Sequence, residues 1–376
     1  MTVALNLFIL AGEPSGDRIA ADLVRRLRLR TSLVISGVGG GDLIAEGLAP
    51  LFPMSDLSVM GLSDVLKRLP LLLWRIEQTA RAILKSRPDI VVLVDAQEFS
   101  ARLAKRLRAK GFASPILLYV SPSVWARHPE RAAQLRPLFN EVLAVLPFEP
   151  AIMKRLDGPP TSYVGHPALA EPAPHPVGGP DQIALLPGSR SGELRRHLPL
   201  LKDVAERLSG RFGIGGFFLP TLPGLADRLK AEVGAWNVDV EIVSDRAERD
   251  ARYSRTRLAL ATAGTATLEL ALANVPMLVT YVMEPAQIRY FERLGRPRVG
   301  LPNIILAADV TPELILPGLR PAPVLAAAEE LLGSPKKLQA QREAFSRLRL
   351  MMENGLPDAP RQDPADRVLA HLGRVI

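Results

Sequence analysis

The sequence contains no cysteine in its 376 residues, which removes disulfides, thiolate metal ligands and a cysteine nucleophile together. Aromatic residues make up only 5% of it. Its basic residues are not interleaved with them, so a stacking RNA-binding sheet is not expected and nucleic acid is not an expected partner. No run of about twenty uncharged apolar residues occurs, so no segment is expected to span a bilayer. The apolar residues 3–11 lack a basic flank and a small-residue cleavage pattern, and read as a buried strand rather than a signal peptide. There is no G-x-G-x-x-G fingerprint, no Walker loop and no G-x-S-x-G elbow. Nor is there a D-x-D pair or a His/Asp/Glu cluster with metal spacing, so neither a cofactor nor a metal is expected.

What is present is positive charge and a repeating pattern. Lys and Arg number 47 against 39 Asp and Glu, a formal net charge of +8. This excess favours anionic surfaces, whether lipid or nucleotide. Apolar Val/Ile/Leu segments alternate with segments of helical period, the pattern of βα units around a parallel sheet. In the first half strands are expected at 5–10, 33–36, 90–94, 116–120 and 142–145, with helices at 19–29, 76–85 and 101–110. Pro- and Gly-rich residues at 158–160 and 172–180 read as a linker. Strands then recur at 182–186, 215–219, 240–242, 258–261 and 277–282, before a charged helix at 335–350, a Pro-rich loop and a short helix at 364–372. The expected fold is α/β, with two Rossmann-like, doubly wound domains whose parallel sheets face a cleft. They span 1–170 and 171–344, and the terminal helices at 345–376 pack back on the first.

Ligands in such sheets bind beyond the carboxyl ends of the strands, so the loops there carry the candidate chemistry. Gly12, Glu13, Ser15, Gly16 and Asp17 lie between a strand and a helix, where glycines admit a ligand and helix amides attract anions. The alternative there is a tight turn capped by Ser15 or Asp17. Asp95 ends a strand, where a general base is needed, and Glu98 stands close enough in sequence to hold it or raise its pKa. A helix-capping aspartate is the alternative. Ser121, Ser123 and Trp125 follow the next strand, and Trp125 offers an aromatic face to a sugar or belongs to the core. His166 sits in a later loop, structural or substrate-facing. In the second half Arg190 suits diphosphate oxygens or is an exposed loop arginine. Gly264, Thr265 and Ala266 open a helix whose amides suit phosphates, with Glu269 one turn in. Residues 60–74, including Leu62, Val65, Leu66, Leu69, Leu72, Leu73 and Trp74 with Lys67 and Arg68 between them, describe an interfacial element or a core helix. Pro70 is expected to kink or split that helix.

Taken in order, these segments resemble the lipid-A-disaccharide synthases. The matches run through residues 11–17, 37–40, 57–61, 121–126, 146–149, 165–167, 186–190, 264–269, 301–303 and 312–314. Each is weak alone, but the ordered set is specific. The resemblance implies a GT-B fold and an inverting transfer from UDP-2,3-diacylglucosamine to 2,3-diacylglucosamine 1-phosphate, giving the β-1,6 disaccharide of lipid A and UDP. It implies Asp95 as base, with Glu13 and Glu98 next in line, and Arg190 with 264–267 at the leaving UDP. Glu269 and Asn303 fall at nucleoside positions, and 60–74 at a membrane-associating patch. An anionic membrane surface is the further partner implied, an oligomer is compatible, and the location implied is cytoplasmic, peripheral to the inner membrane. The chain departs from the family pattern at Gln97, Arg127, Val282, Glu284 and Leu316. Two alternatives stay open at this point: a non-catalytic paralogue that binds membrane or lipid precursor, and another GT-B sugar-nucleotide enzyme.

Overall fold

The computed structural model describes residues 4–57, 62–126, 128–170 and 181–373, without the side chains of 62–67 and 170. Met60, Arg127, the linker at 172–180 and the side chains of Leu62, Val65 and Leu66 therefore lie outside the described residues. The chain divides into two compact units. One runs up to Pro167 and resumes at Met352, and the other is Ala168–Met351.

The first unit begins β1 (Leu5–Ala11), α1 (Pro14–Arg28), β2 (Leu33–Val38), α2 (Gly41–Ala45) and α3 (Leu62–Ser86). It continues β3 (Ile90–Val94), α4 (Gln97–Ala109), β4 (Ile116–Tyr119), α5 (Arg131–Leu135), β5 (Glu141–Ala144), α6 (Glu149–Arg155) and β6 (Thr161–Tyr163). The strands are all parallel in the order β2-β1-β3-β4-β5-β6. Strands β3 and β4 are buried at every residue, as strands covered on both faces must be, and hence read as unbroken apolar runs. Helix α1 turns Ile19, Ala20, Leu23, Val24 and Leu27 inward at helical spacing.

The second unit holds β7 (Gln182–Leu186), α7 (Ser191–Leu208), β8 (Gly216–Pro220), α8 (Ala226–Val233), β9 (Val240–Val243), α9 (Arg246–Tyr253), β10 (Thr256–Ala261) and α10 (Thr265–Leu272). It closes with β11 (Met277–Val282), α11 (Pro285–Arg293), α12 (Leu301–Ile305), β12 (Glu313–Leu316), α13 (Pro321–Leu332) and most of α14 (Pro335–Asn354). Its parallel order is β12-β11-β10-β7-β8-β9. The chain then completes the first unit with the antiparallel hairpin β13 (Gly355–Leu356) and β14 (Ala359–Pro360), and with α15 (Pro364–Ala370). There Arg367 and His371 reach the buried Glu141 at 2.9 and 2.7 Å. Burial alone raises a carboxyl's pKa, but these bonds outweigh it and hold Glu141 below its usual value.

Four features differ from the sequence-based expectation. Strands β6 and β12 were not expected; each is a short strand at a sheet edge, of three and four residues. The loop expected after α14 contains the β13–β14 hairpin. Helix α3 is one element with Pro70 inside it and is not split there.

Candidate active site

Both sheets have a topological switch point, where neighbouring strands send their helices to opposite faces and leave a crevice at the carboxyl ends. In the first unit it lies between β1 and β3. Gly12 follows β1, and a Cβ there would stand 2.6 Å from the Ala96 Cβ, so only glycine lets the two loops approach this closely. Asp95 and Ala96 follow β3 with φ of 54° and 44°, and Val120 follows β4 with φ of 77°. These three residues, in the loops after two neighbouring strands, are strained in the left-handed region, at about 1–2 kcal/mol each, and most so for a β-branched residue. The strain is held by hydrogen bonds from Asp95 N to Tyr119 O and from Val120 N to Leu143 O, with Ser100 Oγ donating to Asp95 O. Such strain concentrates where a side chain must be aimed.

Asp95 is partly buried. That burial, and then the negative charge of Glu13, raise its pKa, against a weaker opposing bond from the Ala96 amide. Glu13 is exposed at the start of α1 and makes no capping bond with its side chain. Glu98, expected to influence Asp95, instead pairs with Arg131 at 2.6 Å; the carboxylate coupled to Asp95 is Glu13. A base with raised proton affinity loses activity on the acid side as it becomes protonated. Removing the Glu13 charge lowers the Asp95 pKa, so Glu13→Gln is expected to move the acid limb of the kcat/KM profile to lower pH. An unmoved limb in a pH–rate titration contradicts this coupling.

Asp17 is 2% exposed, and its two carboxylate oxygens accept from the Gly40 and Asp42 amides at 2.7 and 2.9 Å. It braces the β2–α2 turn. Ser15 stands exposed in the first turn of α1, with Gly16 packed under it against Val94 and Asp95.

Beyond β4, Ser121 is buried and Ser123 exposed, and Trp125 is half-buried with its ring edge-on to Phe148 at 5.4 Å. Glu149 opens α6 beneath them, fully buried, accepting from Leu146 N at 3.0 Å and from Trp125 Nε1 at 3.4 Å. Burial pushes its carboxyl up to about 8. The folded state therefore prefers the protonated acid. The stability this gives is complete below the ordinary carboxylate pKa of 4.5 and is lost as pH rises to about 8. Glu149→Gln is expected to abolish that slope, so the urea midpoint of the variant gains on the parent from pH 4.5 to 8 and then stays level. Parallel midpoints across that range rule out a buried acid. Near β6, His166 is partly buried, its imidazole pushed down to about 4 by burial and so neutral at ordinary pH. A Cβ on the neighbouring Gly165 would lie 2.6 Å from Arg361 Nε, so a tail residue not singled out in the sequence sits beside that loop.

In the second unit the switch point lies between β7 and β10. The loops after these strands are tied by Thr262 N to Leu186 O at 3.0 Å. Glu193, inside α7, folds back to accept from the Ser189 and Arg190 amides, both at 3.2 Å. The Arg190 side chain remains 74% exposed, with one contact to Glu193 at 3.2 Å, an exposed pair weak enough to be exchanged for a phosphate. Opposite, Gly264 takes φ of 138° with open space around its α-carbon, and α10 starts at exposed Thr265 without a side-chain cap. First-turn amides left without a side-chain cap are an anion site in waiting. Thr267 Oγ1 fixes this start by donating to Gly264 O and accepting from Leu301 N.

Asn303 stands at the third position of the short helix α12. It is 1% exposed, donates to Thr311 O and Glu313 Oε1 and accepts from the Val310 and Thr311 amides, so both ends of its amide are spent inside the protein. It ties α12 to the segment that enters β12. Glu269 is partly exposed, 3.8 Å from Arg249. His197 is buried; the Val282 amide donates to its Nε2, so the ring proton sits on Nδ1 and points to Glu193 O at 2.8 Å. This neutral histidine locks α7 to the end of β11 and had no signal in the sequence beyond its helical position.

On α3, Leu69, Leu73 and Trp74 are exposed, Trp74 by 55%, whereas Leu72 packs against the core of the first unit. The Arg75 guanidinium lies 4.3 Å from the Trp74 ring and pairs with Asp56.

The family model for lipid-A-disaccharide synthetase matches residues 7–356. This chain belongs to the lipid-A-disaccharide synthase family. The lipid-A-disaccharide synthase of Nitrobacter hamburgensis is 37% identical, over 97% of this chain and 95% of its own. That of Rhodopseudomonas palustris is 38% identical with the same coverage. Among solved structures, the Acinetobacter baumannii MurG has a TM-score of 0.55 at 14% identity, covering 99% of this chain and 100% of its own. The S. aureus MnaA–UDP co-structure has a TM-score of 0.60 at 14% identity, covering 93% and 96%. The two six-stranded parallel sheets are thus the GT-B architecture, and the lipid-A-disaccharide synthase assignment makes the chain a glycosyltransferase of lipid A biosynthesis. Among the described residues no helix is long and apolar enough to cross a membrane.

Proposed function

We propose that the chain transfers the diacylglucosamine unit of UDP-2,3-diacylglucosamine to 2,3-diacylglucosamine 1-phosphate in one in-line displacement. The acceptor 6-hydroxyl gives its proton to Asp95 as its oxygen bonds to the anomeric carbon. The bond from that carbon to the diphosphate breaks, the configuration inverts to β, and UDP departs with the electron pair. The observation that carries this reading is Asp95, a carboxylate aimed by strained backbone at a switch point, its proton affinity raised by burial and Glu13. A general base must attract a proton, and burial with Glu13 gives Asp95 the raised proton affinity this needs. The charge that grows on the leaving diphosphate meets Arg190 and the amides that open α10, an electrostatic arrangement in place before the reaction begins. A protein of the same fold was solved with UDP, which supports a UDP-linked donor.

Both substrates carry acyl chains, and exposed Leu69, Leu73 and Trp74 with Arg68 suit the cytoplasmic surface of the inner membrane. The first unit then receives the acceptor and the second the donor. The test is to mix the purified protein with both substrates dispersed in detergent, following disaccharide by mass spectrometry and UDP by a coupled assay. Disaccharide and UDP are expected in equal amounts; if neither forms, the proposal is wrong.

A further inference from the structure

Helix α11 and the turn after it, residues 285–298, carry more exposed apolar and cationic surface than their packing explains. Phe291 alone is buried and Ile288 partly so. Tyr290 and Leu294 are each 47% exposed and lie one helical turn apart, and the exposed Arg289 and Arg293 form a second such pair. The segment holds four arginines against a single glutamate. Arg296 is paired with Glu292 at 2.8 Å and Arg298 with Asp309 at 2.6 Å. Among the described residues, Arg289 and Arg293 have no acidic partner.

Two apolar side chains beside two unpaired guanidinium groups fit the boundary between lipid headgroups and acyl chains. The ring and the leucine enter the interface while the arginines reach up to phosphates. The charge selects the occupant: an anionic phosphate surface complements these arginines, and a neutral surface does not. Position agrees. Helix α11 follows β11, whose carboxyl end lies on the same edge of the sheet as the loops of Arg190 and Gly264. A lipid surface at α11 is therefore on the substrate side of its own unit. We infer that α11 is a second membrane contact, which binds anionic phospholipid headgroups through Arg289 and Arg293 and inserts Tyr290 and Leu294. The inference rests on the lipid-substrate reading above and adds a contact separate from α3.

The full-length protein is tested by co-sedimentation with vesicles of phosphatidylethanolamine and phosphatidylglycerol, and with vesicles of phosphatidylcholine alone. The R289Q/R293Q pair is expected to lower partition onto the anionic vesicles about ten- to thirtyfold and to leave the phosphatidylcholine value unchanged. Y290S/L294S is expected to lower both. An L73S/W74S variant on α3 should weaken binding independently, its effect multiplying with that of R289Q/R293Q. In detergent, both α11 variants should release UDP at the parental rate, which separates membrane contact from catalysis. Parental binding of both α11 variants to anionic vesicles overturns the inference. So does sedimentation velocity showing a parental dimer that these variants dissociate, because a second copy would then cover the helix. If the parent itself releases no UDP in detergent, the catalytic proposal fails, and the vesicle measurements still decide the role of α11.

Discussion

Asp95→Ala is expected to lower turnover by about two to four orders of magnitude, the usual contribution of a positioned general base. UDP affinity should be unchanged, because the proposed nucleotide site lies in the second unit. The variant also separates chemistry from folding. A carboxyl whose folded pKa is raised stabilises the protein when protonated, and that stability is lost as pH rises through the folded value. Once ionised, the partly buried Asp95 is therefore a burden on the first unit, imposed by burial and by Glu13. Asp95→Asn, which keeps the shape and removes the charge, should be as inactive as the alanine variant yet unfold at a higher temperature at pH 7. Calorimetry beside single-turnover kinetics checks both. A variant with intact turnover places the base elsewhere, with Glu13 the first candidate.

Arg190→Ala is expected to cost about two to three orders of magnitude in turnover, as removal of one preorganised charge from a developing anion does. Here UDP affinity should fall as well, the opposite of the Asp95 result. The fold should be indifferent, since the ion pair with Glu193 is exposed at Arg190 and contributes at most about 1 kcal/mol. Lysine should restore only part of the rate, because it brings a point charge without the planar fork that binds two oxygens. Titration calorimetry with UDP and steady-state kinetics separate these outcomes. Equal UDP affinity in parent and Arg190→Ala contradicts the assignment.

The architecture was legible where burial on both faces turns a strand into an unbroken apolar run. Residues 90–94, 182–186 and 277–282 match β3, β7 and β11 to the residue. Strand β6 was not legible, because three residues following Pro159 and Pro160 at a sheet edge show no run of either kind. The candidate residues Asp95, Arg190 and Gly264 all follow strands that border a switch point, as expected of loops after strands. Side-chain roles were harder to read. Asp17 and Asn303 have the chemistry of ligands, and their oxygens accept from amides 23 and 7 residues further along the chain. Only the folded path reveals such partners. Glu98 is nearer to Asp95 in sequence than Glu13, yet α4 turns it toward Arg131. The proton affinity of Glu149 arises from burial under neighbours that no spacing rule anticipates.

Three departures from the family pattern are built into their surroundings. The amide of Val282 bonds His197, so its side chain matters little to that contact. Glu284 starts α11 in a reciprocal capping box with Gln287 and pairs with Arg196 at 3.1 Å. Leu316 lies in the core at the end of β12. Each has local partners that keep it in place, and none touches Asp95 or Arg190 among the described contacts.

The central proposal is that one arginine and one helix start in the second unit hold a nucleotide diphosphate. A crystal structure with UDP bound tests that most directly. The predicted result is diphosphate oxygens within hydrogen-bond distance of the Arg190 guanidinium and of the backbone amides of Thr265 and Ala266. Diphosphate bound at any other place, with both of these elements left in solvent, contradicts it.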